Sequence, residues 1–249
     1  MIARLVVIVA AILAGSGMAI AQVPVQGPIP GLPGDLVGGD VSARIVQYFV
    51  LVSALSVVPA ILIVATSFTR IIVALSFLRS SIGLQTTPAN IVMILLALFL
   101  TFFIMAPTVE KAYNDGYIPY TERKIDERQA YDKITTPFRE FMLKNVREKE
   151  LAFFSEQASD SGLGENLSQS DFRILLPAFM ISELRRGFEI GFLIALPFLV
   201  IDIVVATIVM SMGMMMLPPT VISLPFKILF FILVDGWTLL AGSLIKSFG

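Results

Sequence analysis

The 249-residue chain contains no cysteine and no histidine. Without cysteine there can be no disulfide and no thiolate zinc site. Without histidine there is no imidazole metal ligand and no Ser-His or Cys-His catalytic pair. A cysteine-free chain is compatible with an oxidising periplasm but does not fix the compartment. Charge is scarce as well: charged residues make up 15% of the chain, with 18 basic against 19 acidic side chains, a net charge of −1 that argues against nucleic-acid binding. No glycine pattern of the Rossmann or P-loop kind is present. These absences leave no cofactor, no metal and no enzyme class to expect.

What is abundant is apolar surface. The chain is 56% hydrophobic with a mean hydropathy of +0.86, which points to an integral membrane protein. Residues 1–21 read as a signal peptide: Arg4, an apolar core, then Ala19-Ile20-Ala21 as a small-x-small cleavage pattern. A proline- and glycine-rich linker follows at 22–43, too poor in apolar side chains to form a core. Residues 44–109 form a first helical membrane region. Residues 110–187 hold twelve basic and fourteen acidic residues and read as a charged helical periplasmic domain. Residues 188–249 form a second helical membrane region. At roughly 20 residues per crossing, the apolar runs predict about four spans, near 45–66, 90–109, 190–212 and 222–245. Loop 67–89 carries Arg70 and Arg79 and no acid, so the positive-inside rule places it in the cytoplasm and the charged domain outside. Within that domain, Thr136-Pro137 predicts one helix start, and Ser168 with Asp171 predicts another. The expected fold is an all-α membrane protein of broken and kinked helical hairpins.

Three further features carry functional information. Residues 210–216 read Met-Ser-Met-Gly-Met-Met-Met, directly before Leu217-Pro218-Pro219. Methionine is unbranched and polarizable and packs on surfaces of varying shape, so a dense cluster at a helix break suits a deformable seal. Asp202, Lys227 and Asp235 lie within apolar blocks. A charge there costs roughly 2.5 kcal/mol or more unless it meets a partner or a water path. Lys227, Phe231 and Asp235 share one helix face by spacing, and Asp202 could reach Lys227 of its own chain or of a neighbouring copy. An aspartyl-protease reading of the two Asp residues fails on context, because neither follows a Gly-x-Gly pattern. A Ser223–Lys227 hydrolase shows no sign of activation. Finally, Pro197, Gly213, Pro218, Pro219 and Pro225 predict repeated helix breaks. Irregular backbone survives in a membrane only when buried in protein or lining a cavity, which suggests an assembly of several copies around a central path.

The chain resembles the FliP family, the export-gate proteins of flagellar type III secretion. The words that carry the resemblance are Thr66-Ser67-Phe68-Thr69-Arg70-Ile71-Ile72, Gln85-Thr86-Thr87-Pro88, Leu98-Phe99-Leu100-Thr101-Phe102-Phe103-Ile104-Met105-Ala106-Pro107, Pro177-Ala178-Phe179-Met180-Ile181-Ser182-Glu183-Leu184, Pro197-Phe198-Leu199-Val200-Ile201-Asp202, Met212-Gly213-Met214-Met215-Met216-Leu217-Pro218-Pro219, Leu224-Pro225-Phe226-Lys227 and Val234-Asp235-Gly236-Trp237. The resemblance implies a homo-oligomer of about five copies, joined by FliQ and FliR with FlhA and FlhB adjacent. It would pass unfolded flagellar subunits across the bacterial inner membrane at the flagellar basal body. It further implies a gasket formed by Met210, Met212, Met214, Met215 and Met216, and helical hairpins raised out of the bilayer. On this reading Arg70, Asp202, Lys227 and Asp235 are buried between or within subunits. The alternatives are the equivalent subunit of a virulence injectisome or, from another class, an ion-coupled carrier using the three intramembrane charges.

Overall fold

The computed structural model describes residues 46, 48, 49, 52, 53, 56, 63–160, 168–214 and 218–249. The expected signal peptide, the linker, most of the first span, and Met215 and Met216 lie outside the described residues. Among the described residues every regular element is helical. The order is α1 (Phe68–Ile82), α2 (Asn90–Ala112), a π-helical turn (Tyr113–Tyr117), α3 (Ile118–Thr121), α4 (Glu127–Asn145), α5 (Glu148–Asp160), α6 (Phe172–Ser211), α7 (Pro219–Leu233) and α8 (Gly236–Lys246). Two of these stretches, Asn90–Thr121 and Phe172–Ser211, are long and apolar enough to cross a membrane, and α7 with α8 form a bent pair that makes a third at most.

The chain divides into two compact units, Met1–Leu62 with Val109–Pro137, and Ile63–Thr108 with Phe138–Gly249. In the described part of the first unit, the π-helical turn lies against α4. A Cβ on Gly116 would fall 2.5 Å from Ile134 Cγ1, so only glycine fits there. The second unit holds the main core. Phe68, Ile71, Leu75, Leu78 and Ile82 recur at the i, i+3, i+7 spacing of one helix stripe. They pack with Met93, Ala97, Phe198, Phe231, Leu240, Leu244 and Phe248.

The principal seam of this unit joins α1 to α6. Gly187 and Gly191 make a Gly-x-x-x-Gly face, the spacing that lets helices approach closely. A Cβ on Gly187 would sit 3.0 Å from Val73 Cβ, and one on Gly191 only 2.6 Å from Phe77 Cβ. Glu183, Gly187 and Gly191 succeed one another at i+4, so the carboxylate lies on the glycine stripe.

Several local expectations are corrected. The span expected near 190–212 is part of one continuous 40-residue helix with Pro177 and Pro197 inside it, so Pro197 does not break it and the 187/188 boundary falls mid-helix. Each proline removes one N–H from the ladder, and the hydrogen bonds on either side keep the helix continuous across both. Pro225 likewise lies inside α7. The span expected near 222–245 is bent instead by 64° between α7 and α8, at Asp235, whose φ is 51°. Gly236 follows directly beneath Phe231, where a Cβ would come within 2.1 Å of the ring. In the charged region, α4 begins at Glu127 rather than at Thr136-Pro137. Asp126 Oδ1 accepts from the Gln129 N–H at 2.7 Å. The hydroxyls of Thr135 and Thr136 donate to the carbonyls of Tyr131 and Asp132 at 2.9 and 2.7 Å, occupying acceptors beside the gap that Pro137 leaves. Helix α6 is capped by Asp171 itself, which accepts from the Arg173 N–H at 2.9 Å, not by Ser168.

Candidate functional site

Two ion-paired clusters hold α1 against α6, one near each end of α1. At the N-terminal end, the side chains of Arg70 and Glu183 are both fully buried. Arg70 Nε–H donates to Glu183 Oε2 at 2.9 Å and Nη2 to Oε1 at 2.5 Å, a bidentate fork. Arg70 Nη1 donates to the Ser247 carbonyl at 2.8 Å and to Ser247 Oγ at 3.0 Å. The Phe248 ring lies 3.6 Å from the guanidinium carbon, within range of a cation–π attraction. Burial lowers the Arg70 pKa from its ordinary value, while the hydrogen bond and charge of Glu183 oppose the shift. The fully buried guanidinium is therefore solvated by protein alone.

At the C-terminal end, Lys227 Nζ donates to Asp202 Oδ2 at 2.5 Å and to the Ser81 carbonyl at 2.9 Å. Ser223 Oγ donates to Asp202 Oδ1 at 2.6 Å. Lys227 is nearly buried, but the Asp202 side chain is 32% exposed. It borders a cavity of about 520 Å³ whose lining includes Ser80, Gln85 and Thr220. Within this chain Asp202 pairs with its own Lys227. Asp235 does not join them. It stands exposed at the bend, where its left-handed backbone ends the helix that would have aligned it with Lys227. Among the described residues it makes no ion pair.

The methionine-rich stretch starts at the end of α6. Gly213, with φ 76°, takes the left-handed position that follows a helix end. Its N–H donates to the Met210 carbonyl at 3.0 Å, and the Met214 N–H reaches back to the Val209 carbonyl at 3.2 Å. This pair of bonds is a Schellman motif, which glycine favours because it carries no Cβ. Met210 and Met212 are 59% and 66% exposed, and Met214 is half-buried. Pro218 and Pro219 open α7 on the far side of the turn. Apolar side chains displayed this openly are unfavourable in water, so the turn is built to meet another surface or a bilayer.

Sequence reasoning missed Glu183, Ser247 and Phe248. The register of Glu183 on the Gly187–Gly191 stripe was a usable signal, since a carboxylate on a close-packed face needs a cation. Nothing local marked Ser247 or Phe248, because their partner Arg70 lies far away in sequence.

Comparison with known proteins gives a consistent result. The FliP family matches residues 51–244. The flagellar biosynthetic protein FliP of Agrobacterium fabrum is 52% identical over 98% of this chain and 99% of its own length. That of Rhizobium meliloti is 52% identical over 98% and 99%. The protein of the same name from Bacillus subtilis is 51% identical over 82% of this chain and 91% of its own length.

Proposed function

The chain belongs to the FliP family, and from that premise we propose that it is a pore-forming core subunit of the flagellar type III protein export gate. About five copies assemble with FliQ and FliR, beside FlhA and FlhB, in the bacterial inner membrane at the flagellar basal body. Unfolded flagellar subunits pass through this conduit from the cytoplasm. The subunit performs no chemical step; energy comes from other components. The charged stretch within 110–187 faces the periplasm.

The observation that carries this reading is family membership spanning residues 51–244, with relatives named flagellar biosynthetic proteins. Those names also favour the flagellar member over an injectisome counterpart. The turn after α6 supports the mechanistic part. Met210 and Met212 are exposed at the end of a 40-residue apolar helix. A ring of such turns closes around chains of any sequence, because thioethers adapt in shape and select little. Asp202 is held by both Lys227 and Ser223, an arrangement that suits a fixed scaffold better than a carrier, which needs a carboxylate free to exchange its ion.

The decisive experiment measures flagellin in the culture medium of a clean deletion strain, with and without the gene restored. Loss of export that the restored gene repairs is expected. Undiminished export in the deletion strain would overturn the proposal.

A further inference from the structure

The bend between α7 and α8 has no proline to cause it. Val234 and Asp235 separate two helices set 64° apart, and Asp235 adopts a left-handed backbone that a side-chain-bearing residue enters reluctantly. Something must hold α8 folded over. Leu240, Leu244 and Phe248 recur at i, i+4, i+8 and are buried in the core shared with α1. Past the end of α8, Ser247 accepts two hydrogen bonds from Arg70, and Phe248 covers the face of the same guanidinium. Phe248 also stacks on Phe141 at 5.9 Å between centroids. The far end of α8 is thus fastened to a fully buried cation that is itself fixed by Glu183.

We propose that Ser247 and Phe248 form a latch on Arg70 that holds the Asp235 bend. Its release lets α7 and α8 join into one straight helix. Such a helix would run about 28 residues, roughly 42 Å, enough to cross a hydrocarbon core of about 30 Å. The two helices together are apolar enough for that. The latch therefore selects between an inserted, spanning form of this segment and the bent form that the structure presents. It rests on the Arg70 cluster together with the buried stripe of α8 and stands independently of the export role.

The chain's lack of cysteine makes the test direct. Val221→Cys and Ser243→Cys, both exposed positions, carry spin labels on the two arms of the bend. Electron–electron distances are measured on the full chain in lipid nanodiscs. Phe248→Ala is expected to add a population about 5 Å longer, the gain from straightening a 64° bend at 1.5 Å rise per residue. Phe248→Tyr, which keeps the ring over Arg70, is expected to retain the parent distance. An unchanged distance in Phe248→Ala would overturn the latch, as would equal lengthening in Phe248→Tyr. Should Phe248→Ala fail to fold, Phe248→Leu keeps apolar volume without a ring face. In that variant the longer population supports the latch, and the parent distance overturns it.

Discussion

Arg70–Glu183 and Lys227–Asp202 both tie α6 to its neighbours, yet they are built differently. The first is sealed, with both side chains fully buried and a guanidinium fork matched to a carboxylate. The second is open on one side, with Asp202 bordering a cavity and a lysine acting as a point charge among several acceptors. Arginine keeps its charge and its planar geometry under burial, whereas lysine offers a rotatable ammonium on a flexible stem. The difference teaches that a helix seam can be fixed at one end and left adjustable at the other. Between the two ends, Gly187 and Gly191 bring α6 close to α1.

The comparison can be broken most severely at the sealed end. Glu183→Ala leaves a buried guanidinium without its carboxylate, which is expected to destabilise the fold by about 3–5 kcal/mol. The protein recovered from membranes should fall sharply. The double change Arg70→Met with Glu183→Leu should restore much of that yield, because no charge is then left unpaired; a double variant as poor as the single one would refute the pairing argument. Next in size is Gly191→Leu at the seam. Its side chain must displace Phe77, at a cost of about 1–3 kcal/mol or more. Thermal unfolding in detergent should register a clear drop, and an unchanged midpoint would mean that the helices do not meet here.

Asp202→Ala tests the open end. Charge-assisted hydrogen bonds contribute about 1.5–3 kcal/mol each, but water reaches Asp202, so the loss should be smaller than for Glu183→Ala. Assembly of the complex is expected to suffer more than gating. Normal complex yield with blocked transport would instead assign the pair a role in conduction. The smallest effect on stability is expected for Met214, Met215 and Met216 replaced together by Ala, roughly 0.5 kcal/mol or less per side chain. The closed gate should nevertheless leak small ions in conductance recordings, and unaltered conductance would remove the gasket reading.

The sequence by itself determined the all-helical class and the family. Apolar periodicity, the absence of Cys and His, and long ordered motifs are local properties that need no partner to be read. It also marked Asp202, Lys227 and Asp235 as residues in need of company, since the cost of burying a charge follows from residue type and apolar context alone; Asp235 nevertheless stands exposed. It located the turn at Gly213, where the φ requirement is a property of the backbone itself.

Only the tertiary structure decided which partner each charge took, because pairing depends on how α1, α6, α7 and α8 approach one another. Arg70 found Glu183 and Ser247 more than a hundred residues away, a distance over which spacing carries no information. The tertiary structure also moved the breaks. Pro197 and Pro225 predict kinks by local rules, yet both helices run through them. The real bend fell at Asp235, which has no local signature as strong as proline. Its cause is remote: the buried stripe of α8 and the Arg70 cluster hold that helix in a direction that the chain around Asp235 would not choose alone.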